Sequence, residues 1–535
     1  MVAGSVAARL GELGLPQPVR ELAARDWDVI VVGAGHNGLT AAAYLARAGK
    51  RVLVCERRER VGGACTLERP FADPSYVVSP CAYLAGLLDP LVISELDLHA
   101  RGVRIRVADP ALFIPFDDGT AFVEWADEER TVAGLRELGI GQRDIDGYRE
   151  YSERFERCRR LLRRGERDTW VGDSPSRAEV EALLGGEREL IDIVFEASIA
   201  DVLDDCVSDQ RIKDALYGQG LIAAYGGPRT PGTAAIHLMH HMGELDGHPG
   251  TWGYVHGGMG MISFAIADAA LAAGATIACG VLVARIRPGE GVELEDGTRI
   301  RARAVLCNAD PKVALRLLHN AEVPGDYRRR LDDWQVRSPV LKVNAAMSGL
   351  PRWTAAGGET CPAAGPGNRR AGPDQAQEAF EAYDRGELRI AFTEIYSQTA
   401  ADPSDARMAP PGRHVISAFC QYAPPAASGE RWNGGLRDEA ARQVFELIER
   451  FAPGTRDAVI EHEVLTPLDI EERIGLTGGC IFQGECFPEQ MWDRRLASRT
   501  PVEGLYMCGA ATHPGGSVIG LNGRNAALAL LADRP

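Results

Sequence analysis

The stretch VIVVGAGHNGLTAAAYLARAGKRVLVCE, residues 29–56, decides how the chain folds. It opens with a short apolar run typical of a buried parallel strand and continues through a G-x-G-x-x-G pattern formed by Gly33, Gly35 and Gly38. An alanine-rich helical pattern follows, and a second apolar run ends at Glu56, which lies 21 residues after Gly35. Strand, glycine turn, helix, strand and acid therefore stand at the spacing of a dinucleotide-binding βαβ unit.

Each part of this unit has a physical role. Gly33 lets the strand turn sharply, Gly35 leaves room for a pyrophosphate to approach backbone N–H groups, and Gly38 lets the helix pack close to the strand. The N-terminus of the helix favours the phosphate charge. Glu56 is suited to accept hydrogen bonds from a ribose. These residues together predict a bound dinucleotide.

Further glycines indicate which dinucleotide is expected. Gly62 and Gly63 follow Glu56 closely, and because glycine has no Cβ, backbone there can approach the phosphate-ribityl part of a long ligand. A tightly held flavin dinucleotide would touch several distant segments of the chain. Residues 505–508 are predicted to form a strand, followed by a glycine-rich loop and a helix that starts near Ile519. If this segment returns to the first unit, the dinucleotide domain is built from both ends of the chain.

Taken together, these segments resemble the flavoprotein superfamily of phytoene desaturases and amine oxidases. The resemblance rests on VVGAGHNGLTAAAYLARAGKRVLVCERRERVGGACT, YVHGGMGMISFAIADAALAAGATI, VELEDGTRIRARAVLCNADP and LYMCGAATHPGGSVIGLNGRNAA, and it covers nearly the whole chain after about residue 26. It implies an α/β fold with a GR2-type Rossmann-like domain and FAD as the cofactor. Disulfide reductase chemistry is not expected, because the twelve cysteines form no C-x-x-C pair.

The resemblance also implies cofactor contacts, carried over position by position. They are Gly33, Ala34, Gly35, Asn37 and Gly38 around the pyrophosphate, Glu56 at the adenosine ribose, Arg57, Gly62, Gly63 and Ala64 along the ribityl-phosphate region, Val283 at the adenine, and Gly509, Ala510 and Ile519 at the ribityl chain and flavin ring. These residues come from separate parts of the chain. The resemblance therefore implies that the chain folds back on itself around the cofactor.

The same segments divide the chain into discontinuous domains. We expect residues 27–90, 255–312 and 495–532 to form the FAD-binding domain, residues 91–254 and 313–494 to form a substrate domain, and residues 1–26 to be an N-terminal extension. The substrate domain is predicted to be mixed α+β, with a helical part beside an antiparallel sheet. PVLKVNAAM and RHVISAFCQYA are its strand candidates.

Catalytic residues are harder to predict, because a flavin accepts a hydride at its own ring. Lys342 interrupts an apolar strand, where it either lies on an exposed face or serves a function in a cavity. His513 lies in the C-terminal glycine loop, where the resemblance expects the flavin. His256 follows a stretch rich in histidine. These three residues are the candidates for catalysis.

Histidines and aromatic residues crowd the middle of the chain. The histidines are His237, His240, His241, His248 and His256. Their spacing lacks an acidic partner pattern, so no metal site is predicted, and proton transfer by His241 or His256 is the functional alternative. The aromatic residues that either line an apolar tunnel or belong to the core are Tyr225, Trp252, Tyr254 and Tyr422.

Composition limits the partners and the compartment. The net charge of −16 argues against a nucleic-acid partner. The basic stretch RCRRLLRRGER, residues 157–167, is either a solvated helix face or a surface that contacts anionic lipid headgroups. Residues 1–26 lack the apolar core of a signal peptide, and no apolar run reaches the ~18 residues that span a bilayer. A cytoplasmic location is expected, with peripheral contact at a membrane left open.

The function expected from these features is that of an FAD-dependent oxidoreductase. It would remove a hydride and a proton from an apolar, isoprenoid-like small molecule and so desaturate a C–C bond. Oxygen, a quinone or another acceptor would reoxidise the flavin. The alternatives are amine oxidation on the same scaffold, redox-neutral isomerisation with reduced FAD, and a non-enzymatic flavin-bearing interaction protein. The substrate expectation rests on the resemblance alone, and the oligomeric state is left open.

Overall fold

Two seven-stranded sheets organise the protein. The structure is a computed structural model that describes residues 5–319, 323–358, 367–370, 373–401, 407–424, 426–427 and 430–534. The first sheet is Rossmann-like and mostly parallel, and the second is mostly antiparallel. Helices cover the first sheet and form a separate helical part beside the second. The predicted α/β fold with a mixed α+β second part is confirmed, whereas the residue limits of the domains stay predictions.

The first sheet joins distant parts of the chain. Its strands are Trp27–Val32, Val52–Glu56, Thr276–Cys279, Val283–Arg287, Gly291–Leu294, Arg299–Cys307 and Leu505–Met507. Trp27–Val32 pairs in parallel with Val52–Glu56 on one side and with Arg299–Cys307 on the other. Leu505–Met507 also pairs in parallel with Arg299–Cys307, so both ends of the chain enter one sheet.

Three helices pack on the first sheet. They are His36–Arg47, Gly260–Ala272 and Leu521–Asp533, and the first of them contacts both of the others. Gly523 permits the closest approach, because a Cβ at this position would lie 2.0 Å from the carbonyl oxygen of Asn37.

The last helix begins at Leu521 and not near Ile519, as the sequence had indicated. Gly520 is its N-cap and has a φ of +82°, a left-handed conformation that keeps the preceding loop out of the helix. The glycine-rich loop is therefore two residues longer than expected, and its end lies against the N-terminus of this helix.

The second sheet has the strands Leu112–Pro115, Ala121–Glu124, Leu341–Met347, Gly367–Arg370, Phe392–Tyr396, His414–Cys420 and Val459–Leu465. Leu341–Met347 pairs in antiparallel register with His414–Cys420 and Val459–Leu465, which confirms the two strands predicted here. The helix Gly434–Glu449 packs on the apolar side chains of one face. The other face carries Lys342 and Asn344.

A helical part lies in chain order between Ala121–Glu124 of the second sheet and Thr276–Cys279 of the first. Its helices are Glu128–Glu137, Gln142–Arg163, Arg177–Leu183, Arg188–Phe195, Ile199–Cys206, Gln210–Leu216 and Thr233–His241. The basic stretch 157–167 ends the longest of them and continues into the following turn. Each of its six arginines forms an ion pair with an aspartate or glutamate, for example Arg163 with Asp89 at 2.6 Å. Its positive charge is therefore largely balanced by carboxylates of the chain itself.

Short elements complete the structure. The remaining α-helices are Val19–Ala23, Pro90–Glu95, Pro311–Leu317, Gly325–Asp332, Pro373–Asp384, Gln398–Ala401 and Pro467–Asp469, with a π-helix at Ile470–Ile474. The short strands are Ile105–Val107, Glu244–Leu245, His248–Pro249, Gly253–Val255, Ala426–Ala427 and Glu430–Arg431. The 3₁₀ turns are Val6–Arg9, Tyr217–Leu221, Thr354–Ala356, Arg456–Ala458, Thr477–Gly479, Pro488–Gln490 and Trp492–Arg494. Within the described ranges, none of the helices combines the length and the apolar character that crossing a bilayer requires.

The N-terminal segment, residues 5–24, meets the edge strand Thr276–Cys279 at Gly14. The N–H of Cys279 donates to the carbonyl of Gly14 at 3.0 Å, and the N–H of Leu13 donates to the carbonyl of Glu59 at 3.2 Å. The segment thus adds backbone hydrogen bonds along one side of the first sheet.

Gly523→Ala should destabilise the protein by about 1–3 kcal/mol, because the added methyl group would overlap the carbonyl of Asn37. The measurement is the midpoint of urea unfolding. Gly134→Ala is the matched control, since it also lies in a helix but has no atom within 4 Å of the added Cβ. We expect the control to be neutral or more stable by about 0.5–1 kcal/mol. Equal midpoints for the two variants would contradict the close helix packing.

Candidate cofactor and active site

A cavity of about 620 Å³ opens at the carboxyl ends of the parallel strands. Its wall includes Val32, Glu56 and Asn308, which end or follow three strands of the first sheet. Ligands of open α/β sheets bind at this end, where loops leave neighbouring strands. The cavity then extends past the second sheet into the helical part.

Most of the predicted cofactor residues lie on the wall of this cavity. Those on the wall are Gly33, Gly35, Asn37, Glu56, Arg57, Gly62, Gly63, Ala64, Val283 and Ala510. Ala34, Gly38, Gly509 and Ile519 lie behind it. Ala34 and Gly38 still shape the wall: the N–H of Ala34 bonds Glu56, and a Cβ on Gly38 would lie 2.2 Å from the carbonyl oxygen of Gly33.

The N-terminus of the helix His36–Arg47 faces a backbone of glycines. The first helical hydrogen bond runs from the N–H of Leu39 to the carbonyl of Gly35, so the preceding N–H groups have no acceptor within the helix. Opposite them, Gly62 has a φ of +109°, and a Cβ on Gly63 would lie 3.2 Å from the Cα of Gly35. The two glycine segments therefore pack directly against each other, with the N–H of Gly62 donating to the carbonyl of Ala34 at 2.8 Å. The free N–H groups at the start of the helix remain suited to a phosphate group in the cavity.

Glu56 is fixed at the nucleotide end of the cavity. Its Oε2 accepts the N–H of Ala34 at 2.8 Å, and its Oε1 accepts the N–H of Arg58 at 2.9 Å. Burial raises the pKa of this carboxyl above its ordinary value, while the two N–H groups act in the opposite direction. A carboxylate oxygen can accept more than one hydrogen bond, so both oxygens remain able to accept ribose hydroxyls.

Arg57 connects this end to the second half of the chain. Its Nη2 donates to the carbonyl of Glu472 at 2.6 Å, in the π-helix Ile470–Ile474. Gly475 and Leu476, which follow that helix, belong to the cavity wall. Sequence reasoning missed this segment, because nothing in its residue pattern points to a nucleotide.

Two polar atoms in the fingerprint turn indicate a ligand. Nε2 of His36 and Oδ1 of Asn37 are buried and have no hydrogen-bond partner among the described residues, and both residues lie on the wall. Burial lowers the pKa of His36 to about 4, although a backbone hydrogen bond with Ser517 acts in the opposite direction. The imidazole is therefore neutral. Buried polar atoms without partners are rare in folded proteins. A ligand rich in hydroxyl groups, such as the ribityl chain of FAD, fits these atoms.

The C-terminal loop forms the opposite wall. Ala510, Ser517 and Val518 belong to the lining. Nδ2 of Asn522, in the first turn of the last helix, donates to the carbonyls of Thr512 and Gly515 at 2.9 and 3.0 Å. The loop is thereby held in one conformation over the cavity.

Beyond the glycine segments, the cavity becomes a chamber with an aromatic and aliphatic wall. The aromatic and aliphatic residues of this wall include Tyr83, Leu84, Leu216, Ile222, Trp252, Tyr396, Ile481 and Phe482. The rings of Tyr83 and Tyr396 stack with centroids 4.3 Å apart. A wall of this kind suits an apolar group.

Three imidazoles lie along one side of the cavity, on the helix Thr233–His241. His237, His240 and His241 share a helix face because they stand at positions i, i+3 and i+4, a spacing that the sequence already displayed. Nε2 of His241 lies 3.3 Å from a carboxylate oxygen of Glu156. In the described part of the chain, no group of three or more His, Cys, Asp or Glu side chains is arranged to hold a metal ion.

The three catalytic candidates do not belong to the wall that the described residues form. Nζ of Lys342 donates to the carbonyl of Cys81 at 2.8 Å from behind the wall. Nε2 of His513 lies 2.7 Å from the carbonyl of Thr169, and burial lowers the pKa of His513 to about 4. His256 borders a separate, much smaller cavity.

Lys342 supports the chamber indirectly. It is 1% exposed, and its Nζ lies 4.8 Å from the ring centroid of Tyr83. Burial lowers its pKa to about 8. Lys342 therefore holds the loop that carries Tyr83, and its charge is sensitive to pH near neutrality.

Only one of the four aromatic residues predicted for a tunnel lies on the cavity wall in the described structure, namely Trp252. Tyr254 borders the smaller cavity. Tyr422 donates its hydroxyl to the carbonyl of Gly226 at 2.8 Å, and Tyr225 packs edge-on against Phe380. The chamber is lined instead by aromatic residues from distant segments.

Comparison with known proteins agrees with this geometry. A family described as NAD(P)-binding Rossmann-like domain matches residues 31–84, and one described as flavin containing amine oxidoreductase matches residues 187–531. The chain is 34% identical to pyridine nucleotide-disulfide oxidoreductase domain-containing protein 2 of Mus musculus, over 95% of this chain and 94% of that protein. It is 28% identical to a limonene dehydrogenase polypeptide of Castellaniella defragrans, again over 95% and 94%.

Among solved structures, the chain is similar to cyclohexylamine oxidase from Brevibacterium oxydans. The TM-score is 0.58 at 18% identity, and the match covers 95% of this chain and 99% of the other. At this identity the likeness shows a shared fold. The flavin-containing family match, the glycine cradle and the buried polar atoms together identify FAD as the cofactor.

Glu56→Gln should weaken FAD binding about 10- to 100-fold, since it replaces a charged acceptor by an amide whose NH₂ would face a backbone N–H. The dissociation constant can be measured by fluorescence titration of the apoprotein. Glu59→Gln is the control, because Glu59 is exposed and lies three residues away. Equal affinity of the two variants would remove Glu56 from the cofactor site.

Lys342→Met tests the buried lysine through pH. The pKa of Lys342 is about 8 in the folded protein against an ordinary 10.5, so between these values the unfolded chain binds more protons. The stability of the wild type should therefore rise with pH across this window, by up to about 1.4 kcal/mol per pH unit relative to Lys342→Met. Unfolding free energies at several pH values provide the measurement. If the difference in unfolding free energy between the wild type and Lys342→Met did not change with pH, the lowered pKa of Lys342 would be contradicted. Lys312→Met serves as the control.

Proposed function

The chain belongs to the family of flavin-containing amine oxidoreductases, and on that premise we propose that it desaturates an apolar, isoprenoid-like small molecule. It is an FAD-dependent oxidoreductase, and the proposal concerns its substrate. Bound FAD supplies the hydride-accepting chemistry. The chain's own residues hold the cofactor, shape the chamber and exclude water from it.

The chamber wall is the observation that carries the proposal. Leu216, Ile222, Tyr396 and Phe482 are each less than 9% exposed and line the chamber. These side chains stabilise a hydrocarbon by removing it from water. The cavity wall also carries polar side chains, among them Gln219, Gln483 and three imidazoles. An uncharged, largely apolar molecule is therefore the substrate class that fits.

The carboxylates on the cavity wall support an uncharged substrate. Among the described residues they are Glu56, Glu124 and Glu128. Glu56 bonds the fingerprint turn, Glu124 accepts the hydroxyl of Tyr148 at 2.8 Å, and Glu128 pairs with Arg149 at 2.8 Å. A buried ammonium group needs a carboxylate or an aromatic face as partner. The carboxylates of this cavity are already engaged by the chain itself, so an ammonium group would depend on the aromatic faces of the chamber.

A relative adds support for the isoprenoid class. The limonene dehydrogenase polypeptide, which is 28% identical over 95% of this chain, is named for the dehydrogenation of limonene. Limonene is an uncharged isoprenoid hydrocarbon. Its chemistry agrees with the aromatic and aliphatic chamber of this chain.

Amine oxidation is the second candidate, because it is favoured by the family and by the fold shared with cyclohexylamine oxidase. If an amine bound between two aromatic rings of the chamber, the rings would have to stand apart by more than contact distance. The rings of Tyr83 and Tyr396 are stacked at 4.3 Å, which is contact distance. This pair therefore does not provide such a gap, and we rank amines below hydrocarbons.

The test is anaerobic reduction of the FAD-loaded protein by a panel of isoprenoid hydrocarbons and a panel of primary amines. We expect hydrocarbons in detergent micelles to bleach the flavin and to yield products that have lost two hydrogen atoms, identified by mass spectrometry. Bleaching by amines alone, with hydrogen peroxide formed on admitting air, would establish the second candidate instead. A hydrocarbon product of unchanged mass would indicate isomerisation. A flavin that neither panel alters would point to a non-enzymatic role.

Ile222→Thr should raise the hydrocarbon concentration needed for half-maximal bleaching about 10-fold or more. The added hydroxyl makes an apolar wall polar, at a cost of about 1–3 kcal/mol. The visible spectrum of bound FAD should stay unchanged. Leu528→Thr is the control, because Leu528 is 41% exposed on the last helix. An unaltered concentration dependence for Ile222→Thr would place the substrate outside the chamber.

A further inference from the structure

A buried arginine lies beside the cavity without a carboxylate partner. Arg495 is 1% exposed and is one of the largest fully buried side chains of the described structure. None of the carboxylates in the described ranges forms an ion pair with it. Glu485, whose backbone carbonyl accepts from Arg495, directs its carboxylate to Arg337 at 2.8 Å. A buried charge is costly in a protein unless it is balanced or used.

Backbone carbonyl groups satisfy the guanidinium. It donates to the carbonyls of Ala510 at 2.6 Å, Glu485 at 2.9 Å, Phe482 at 3.2 Å, and Gln490 and Thr512 at 3.3 Å. Carbonyl dipoles stabilise the cation but leave its net charge of +1 in place. The position is therefore a fixed positive charge inside the protein.

This charge lies one peptide group behind the cavity wall. Phe482 and Ala510 both belong to the wall, and both bond the guanidinium through their carbonyl groups. Ala510 is also a residue for which the family resemblance implies contact with the ribityl chain and flavin ring. The neighbouring imidazole of His513 does not change the net charge at this position. Burial, together with positive charges that include Arg495, lowers the pKa of His513 to about 4, so the ring is neutral.

We propose that Arg495 tunes the bound FAD: its unneutralised charge favours the reduced cofactor and raises the reduction potential. Transfer of a hydride adds two electrons and one proton to the flavin ring, which leaves the ring with one more negative charge. A fixed cation nearby in a medium of low dielectric constant stabilises that charge. Arg495 does not reach the cavity itself, so it acts through the field and not as a catalytic residue. This inference does not depend on the substrate class proposed above.

The alternative is that Arg495 only ties two loops together. Replacing Arg495 would remove its hydrogen bonds to the loops and its charge at the same time. A substitution at a neighbouring residue therefore separates the two effects better. Sδ of Met491 lies 3.6 Å from Nη1 of Arg495, and Met491 is 8% exposed. Met491→Glu would set a carboxylate beside the guanidinium and neutralise it while the loops stay tied. Met491→Gln is the matched control of similar size without charge.

The experiment measures the equilibrium between bound FAD and a reference dye during anaerobic reduction of the holoprotein, without substrate. We expect Met491→Glu to shift the equilibrium constant at least about 10-fold toward oxidised FAD, which is about 30 mV for a two-electron couple. Met491→Gln should match the wild type. Equal equilibrium constants for Met491→Glu and Met491→Gln would overturn the proposal and would indicate that Arg495 only holds the two loops together.

A second pair of variants decides the question if Met491→Glu does not retain FAD. Arg495→Lys keeps the charge and Arg495→Met removes it, and both lose the forked hydrogen bonds. We expect Arg495→Lys to stay within about 3-fold of the wild type and Arg495→Met to shift at least about 10-fold. Equal shifts in the two variants would show that the fork, and not the charge, matters. Because no substrate is added, this outcome is independent of the bleaching experiment.

Discussion

The parallel pairing of Arg299–Cys307 with Trp27–Val32 and with Leu505–Met507 is the contact on which the site depends. Cys307 stands in register with Val32 on one side and with Met507 on the other. Three loops therefore leave the sheet at the carboxyl ends of neighbouring strands. One contains the fingerprint glycines, one contains Asn308, and the third is the C-terminal glycine loop. Without this register, the segments that face one another across the cavity would not meet, however suitable each is by itself.

The wall of the cavity changes character from one end to the other. At the nucleotide end it includes backbone N–H groups and Glu56, and farther along it combines aromatic and aliphatic side chains with three imidazoles on one side. Two buried cations stand behind the wall and bond carbonyl groups of wall residues: Lys342 at Cys81, and Arg495 at Phe482 and Ala510. Both cations are therefore separated from the cavity by the backbone of the wall.

Local spacing was enough to predict the βαβ unit, two strands of the second sheet and the region of the last helix, because these depend on residues close in sequence. The start of the last helix was missed by two residues, since the left-handed Gly520 has no unique signature among neighbouring glycines. The chamber wall and the role of Arg57 depend on contacts between distant segments, which one sequence does not reveal. Arg495 stands next to another arginine in a polar stretch, so its complete burial could not be read from its neighbours.

The N-terminal segment has a consequence for solubility. A sheet that ended at Thr276–Cys279 would present unpaired backbone groups to other molecules, and such edges promote intermolecular strand pairing. The hydrogen bond from Cys279 to Gly14 occupies part of this edge with the chain's own backbone. The backbone at Gly14 therefore leaves less of this edge open to a strand from another molecule.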